Sequence, residues 1–426
     1  MTMHPLLALT PWFSLPVNIA KAFTANSSLP VHELDKAKVQ TPRAHVRPFP
    51  DACGVVSFSA WRLAHAIKKA DCLRWPSAPQ LWAGATGFLL ENGHLFDWGK
   101  VGFSLHDGMA SYYADFSSSG LAGRIGQGMA ILLLEEKGYA YVGRFETEWK
   151  QRAATQNKAW PAGKEKAPDF IAENTQKEWI LAESKGGFAG PDSKPNIKAA
   201  LNEGLKQLDG WDKHIFPQPK KSFAIGTFLR ESNDGSDEKS LIAFVDPESE
   251  TPENPVEFPA DTVRRANYAA WLDAMDFSEA ADRLRIGAYS ADRRRQTVPV
   301  ISLGGREFVV RITSILPKSP GLSSREFWED FHDLPYLLFK LPRDGFRIEV
   351  IGLDLKVFES LVGVDSTKTS DRLMEFSPQQ TQDATFDLEG GAFTGSIFSD
   401  GSLLGELRHS RAGSGVPNFE WIEVEL

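Results

Sequence analysis

A chain of 426 residues is too long for one ordinary core and long enough for two or three domains. Hydrophobic residues at 42% and charged residues at 24% exclude a disordered chain and a membrane bundle. A net charge of -9 excludes a protein whose whole surface coats nucleic acid, but not a local basic rim: between Leu121 and Arg230, Lys and Arg outnumber Asp and Glu.

The segment Met1 to Phe23 is apolar, but it lacks an early Lys or Arg and is broken by Pro5, Pro11 and Pro16, so no export signal is expected. Cys53 and Cys72 have no CxxC spacing, which fits a reducing cytoplasm. No apolar run approaches the ~20 residues of a membrane helix, so no membrane partner is expected. One helix is predicted near Ser59 to Ala70, and Trp61, Trp75, Trp82 and Trp98 point to a packed N-terminal region over residues 1–115. Gly123 to Gly128 leads into a predicted helix from Met129 to Lys137, stopped by Gly138; a strand over Tyr139 to Phe145 follows. This glycine run has no acidic partner at the right remove for a dinucleotide site and is read as permitting close packing at a helix start.

Gln151 to Lys166 reads as a polar loop. Asp169 to Ala172 and Trp179 to Lys185 read as two strands joined by a turn, Glu173 to Lys177. Ile197, Leu201, Leu205 and Leu208 recur at helical spacing, and Ser222 to Leu229 and Ser240 to Val245 read as further strands. Residues 116–246 thus form an α/β core. An acidic, proline-bearing linker over 247–260 is expected next, then a mostly β, α+β domain over 261–426. That domain is predicted to be helical over Asp261 to Ala288 and strand-rich thereafter, and it offers a surface for a protein partner or a second copy.

The chemistry concentrates in Asp169 and in the segment Glu183-Ser184-Lys185. On a strand, residues two apart share a face, so Glu183 and Lys185 point one way and Ser184 the other. Pairing of the two runs as a hairpin brings Asp169 beside Glu183. Two carboxylates, waters and a substrate phosphate suit Mg²⁺, and a nearby ammonium orients water and offsets developing charge. Glu148-Trp149-Lys150, Asp192-Ser193-Lys194 and Asp237-Glu238-Lys239 repeat the spacing without a hydrophobic strand leading into them. Asp354-Leu355-Lys356, with Asp344 upstream, is the stronger rival. His106-Asp107 lacks a nucleophile and reads as structural.

These residues resemble the PD-(D/E)xK, or restriction-endonuclease-like, nuclease superfamily over about Gly120 to Val245. The resemblance implies a mixed central sheet flanked by helices, metal ligation by Asp169, Glu183 and Ser184, and a catalytic Lys185. It implies Mg²⁺, with Mn²⁺ able to substitute, and hydrolysis of phosphodiester bonds in DNA, in a phage-defence or restriction setting. Where the family often carries an acid on the preceding helix, this chain has Gln127, which would bond a metal-held water and leaves the site one charge short. That departure sustains an alternative: a nuclease-like fold without catalysis, serving as a binding or assembly module. Lys198, Asn202 and Lys206 form a stripe on the helix after the site, and with Lys220 and Lys221 they are candidates for nucleic-acid contact. Arg293 to Arg295 could also contact a backbone, against the plainer reading of a solubilising run.

Overall fold

A computed structural model describes residues 26–74, 92–98, 102–112, 115–190, 193–232, 238–247, 254–286, 295–317, 346–362, 366–379, 382–388, 391–409 and 419–425. Met1 to Phe23, Trp75, Trp82, Asp192, Asp237, Arg293, Arg294 and Asp344 lie outside these residues. The chain divides into two compact units, with the boundary between Ala266 and Asn267. That point lies inside a helix, Thr262–Ala274, and not in the acidic loop before it. Among the described residues no helix is long and apolar enough to cross a membrane.

The first unit is built on a mixed seven-stranded sheet. Its strands are β1 (Asn26–Glu33), β2 (Gly54–Ser59), β5 (Tyr141–Arg144), β6 (Phe170–Glu173), β7 (Trp179–Ala189), β9 (Lys221–Arg230) and β10 (Leu241–Val245), in the order β2-β1-β10-β9-β7-β6-β5. Two short strand pairs, β3 (Phe96–Asp97) with β4 (Ser104–Leu105) and β8 (Ile215–Phe216) with β11 (Val256–Glu257), lie outside this sheet. β5, β6 and β7 run antiparallel in sequence, whereas β9 returns parallel to β7. The N-terminal region contributes more than packing: β1 pairs parallel with β10 and antiparallel with β2.

The helices of this unit are α1 (Lys36–Gln40), α2 (Ala60–Arg74), α3 (Asp115–Glu136), α4 (Phe145–Thr155) and α5 (Ile197–Leu208). Two of them differ from the sequence reading. The glycine run at 123–128 lies within α3 rather than at its start. A Cβ on Gly126 would stand 2.9 Å from the Lys185 carbonyl oxygen, and one on Gly128 would stand 2.6 Å from Ile67 Cγ1. Glycine therefore lowers the helix propensity of this stretch, yet it lets α3 lie directly on β7 and α2, and the burial of Met129 to Leu134 outweighs the loss. The C-terminal stop is as expected, with Gly138 at φ 85 and the Tyr139 N–H bonded to the Leu134 carbonyl. The predicted loop from Gln151 begins as α4, whose Phe145, Trp149 and Ala153 are buried.

Sheet alternation decides which helix covers which residue. A Cβ on Gly186 would fall 1.8 Å from the Ala122 carbonyl oxygen, so α3 covers the Ser184 and Gly186 face of β7. On the other face, Gly204 of α5 approaches Ala224 and Glu183. α5 is capped by the Asn196 side chain, which accepts the Ala199 N–H, and it buries Ile197, Leu201, Leu205 and Leu208 as the spacing predicts. The β6–β7 hairpin closes through Asn174, whose Oδ1 accepts the N–H groups of Gln176 and Glu178 while Lys177 takes φ 63.

The second unit is mostly β, with helices. It comprises the rest of α6 (Thr262–Ala274), then α7 (Ser278–Ile286), β12 (Arg295–Leu303), β13 (Arg306–Pro317), β14 (Phe346–Asp354), α8 (Leu355–Val362), α9 (Ser366–Glu375), β15 (Gln382–Leu388), β16 (Gly391–Ile397), β17 (Ser402–His409) and β18 (Glu420–Glu425). Its antiparallel sheet has the order β15-β16-β17-β14-β13-β12-β18 and buries Leu303, Phe308, Val350, Phe393 and Leu403. The segment read as strand from Phe346 to Val357 turns helical at Leu355, where the Asp354 carboxylate accepts the Lys356 N–H.

Candidate functional site

Antiparallel pairing of Phe170 with Ala182 and of Ile171 with Leu181 extends to set Asp169 opposite Glu183. The contacts follow from that register. The Asp169 N–H donates to Glu183 Oε2 at 3.0 Å, and Lys185 Nζ lies 3.1 Å from Glu183 Oε1. Ser184, on the opposite face, donates to Asp169 Oδ2 through both its N–H, at 3.2 Å, and its hydroxyl, at 2.6 Å. Ser184 therefore fixes the Asp169 carboxylate. Asp169, Glu183 and Lys185, inferred from the sequence alone, are brought together.

Glu183 is only 3% exposed. Burial, reinforced by the neighbouring Asp169 charge, pushes its pKa up to about 8, even though Lys185 and the Asp169 N–H both donate to it and favour the ionised form. Lys185 is raised above its ordinary 10.5: burial acts against the charged form, but the charge of Glu183 and the bonds to Glu203 and Glu183 outweigh it. The bond from Lys185 in turn holds the Glu203 carboxyl below its ordinary range.

A metal at this point would meet oxygen donors from two carboxylates, one of which burial and the other's charge make costly to ionise. A cation relieves both penalties, so Asp169 and Glu183 fit a hard divalent ion that retains several waters. Among the described residues no group of three or more His, Cys, Asp and Glu side chains forms a fuller cage. Gln127 is 7% exposed; it belongs to α3, on the face of β7 opposite Glu183 and Lys185.

The expected nucleic-acid contacts separate. Lys198 donates to the backbone carbonyls of Thr41, Pro42 and Ala44, the last at 2.7 Å, so it pins the segment after α1 and is not presented to a ligand. Lys220 pairs with Glu178 at 2.8 Å and Lys221 with Asp246 at 2.7 Å. Register places Lys221 beside Ile180, on the far side of Glu183 from Lys185. Asn202 is partly exposed on α5. Lys206 lines a cleft of about 360 Å³ with Lys164, Lys166, Glu203 and Gln207. The cleft wall ahead of Asp169 is anchored by indoles: Trp160 Nε1 donates to the Lys164 carbonyl and Trp211 Nε1 to the Lys166 carbonyl.

Described residues of three of the rival motifs have structural partners. Asp354 is bonded to Arg306 Nε and Nη2 as well as capping α8. Glu148 and Trp149 are buried in α4, and Lys150 pairs with Glu146. Glu238 pairs with Arg230 and Arg47. His106 is tied by its backbone N–H to the Leu95 carbonyl. Arg295 faces Glu423 across β12 and β18 at 3.6 Å.

The sequence reading missed Glu203. It stands between residues of the predicted basic stripe, and only the packing of α5 on the Glu183 face reveals it as a neighbour of Lys185. Comparison with protein-family models, with curated proteins and with solved structures found no match to this chain.

Proposed function

We infer that the chain is a metal-dependent phosphodiester hydrolase, a nuclease of the PD-(D/E)xK kind acting on DNA. The observation that carries this reading is the convergence of Asp169, Glu183 and Lys185 at the β6–β7 pair, with a buried carboxylate bonded to an ammonium and crowded by a second carboxylate. The surrounding run of α3, then antiparallel β5, β6 and β7, then α5 and parallel β9 supports it, because the resemblance implies a mixed sheet flanked by helices.

In this reading Asp169 and Glu183 hold Mg²⁺, or Mn²⁺ in its place. What the ion supplies is positive charge against the scissile phosphate and acidification of water. Ser184 keeps one Asp169 oxygen fixed and so holds the carboxylate in place beside Glu183. Lys185 keeps its proton and donates it in a hydrogen bond to water or to a phosphate oxygen, placing positive charge where negative charge develops. α5 and α3 cover both faces of β7 at this point, which limits access of bulk water.

The test uses supercoiled plasmid, linear duplex, single-stranded DNA and RNA, each with Mg²⁺, Mn²⁺ or EDTA, and the parent beside E183A and K185A. Metal-dependent cutting abolished in both variants is expected. Equal cutting by parent and variants overturns the site assignment. Binding without cutting on every substrate favours the second reading, a nuclease-like fold that binds DNA without hydrolysis; Gln127, where the family often has an acid, is the feature on its side.

A further inference from the structure

A group outside the predicted set that touches it is Glu203 on α5. Its Oε1 lies 3.0 Å from Lys185 Nζ, and Lys185 lies 3.1 Å from Glu183 Oε1, so carboxylates from two different elements hold one ammonium. The side chain of Glu183 is 4% exposed and that of Glu203 is 58% exposed, so one anchor is inside and the other at the surface. The outer anchor is itself placed. Gly204 follows it and leaves only 3.6 Å between its would-be Cβ and Glu183 Cγ, which seats α5 close on β7. One turn on, Gln207 Nε2 donates to Glu203 Oε1 at 3.2 Å. Lys166 and Lys206 add attraction on the same carboxylate.

A single exposed ion pair contributes little to stability, so stability is not a sufficient reason for this arrangement. A lysine stem has several freely rotating bonds, and an ammonium with one carboxylate partner can swing about it. A second anchor from another element fixes its direction. Resting on the hydrolase reading, we propose that Glu203 is a positioning residue that aims the Lys185 ammonium at the reacting phosphate, acting through Lys185 and touching no substrate.

Two measurements on the full chain, with E203Q and E203A beside the parent, decide this. The first is trace acylation of lysines in the absence of substrate, read by mass spectrometry, with Lys150 and Lys221, whose partners are Glu146 and Asp246, as internal standards. Lys185 reacts several-fold faster in both variants if Glu203 restrains it. The second is single-turnover cleavage with Mg²⁺ against duplex affinity in Ca²⁺. The cleavage rate falls roughly tenfold, the effect of a misaimed group, while affinity stays within about twofold. Equal acylation of Lys185 in parent and E203Q overturns the proposal whether or not the protein cuts. A loss confined to affinity overturns it too, since Glu203 would then act on the substrate directly. Failure of the parent to cut any substrate overturns the hydrolase reading instead, and acylation still decides whether Glu203 holds Lys185.

Discussion

Glu183 makes the metal-free protein a pH-dependent one, and the sign is opposite to that of most acidic residues. Its pKa stands at about 8 in the folded chain against an ordinary 4.5. Below pH 4.5 both states hold the proton and the contribution is fully present. As pH rises, the unfolded chain releases the proton while the fold retains it, so stability falls until about pH 8 and then levels. The slope is about 1.4 kcal/mol per pH unit, which over this interval amounts to about 5 kcal/mol as a ceiling. Lys185 does not blur the window: its raised pKa affects stability only as pH climbs past its ordinary 10.5. Two units need not unfold together, so a local probe is required. Hydrogen exchange of β7 amides in EDTA, corrected for intrinsic rates, reports opening of the strand that carries the site. Between pH 5 and pH 8 the parent loses protection relative to E183Q, whose side chain cannot ionise. Adding Mg²⁺ restores more protection at pH 8 than at pH 6, because the carboxylate form is the ligand. Parallel pH profiles for parent and E183Q would refute the buried, crowded Glu183 on which the site reading rests.

Other consequences are as specific. Gly186→Ala drives a Cβ into the Ala122 backbone and lowers the melting temperature of the first unit, at a cost of about 3 kcal/mol or more; Gly123→Ala, whose Cβ meets nothing within 4 Å, raises stability by up to about 1 kcal/mol. Calorimetry on the two variants should therefore move in opposite directions, and equal shifts would count against the close seat of α3 on β7. Asp354→Ala removes the α8 cap and the Arg306 pair, so it destabilises the second unit by about 1–2 kcal/mol while leaving metal-dependent cutting unchanged. Lost cutting in that variant, with the fold intact, would restore Asp354 as a site candidate.

The placing of Asp169 beside Glu183 was legible because it rests on the shortest-range rules. Alternation along Trp179 to Lys185 and a turn closed by Asn174 suffice to set Asp169 beside Glu183, and neither depends on distant contacts. What escaped depends on tertiary contact. Gly126 and Gly128 read as allowing close packing at a helix start, and only β7 and α2 placed against them show that they lie inside α3, with no room for a side chain. α4 carries too many polar residues to stand out, and its few buried ones meet a cluster of Trp149, Trp160 and Trp211 whose members are far apart in sequence. Lys198 looked like one of a basic stripe, yet carbonyls near residue 42 claim it. The strand character of β1 and β2 was hidden because their partners are each other and a strand more than two hundred residues later.

The pairing of β1 with β10 also bears on how the molecule is made and how it should be cut. Val31 sits opposite Ile242, so the sheet cannot be completed until nearly all of the first unit has been synthesised. Contacts of such span close slowly and leave intermediates with an unsatisfied strand edge. A fragment trimmed to 116–246 would keep Asp169, Glu183 and Lys185 but expose the length of β10, a buried run of Leu241 to Val245 with no partner on that side. Such an edge templates association with other chains. A unit that presents this site without that open edge therefore includes β1 and β2 and reaches back to Asn26.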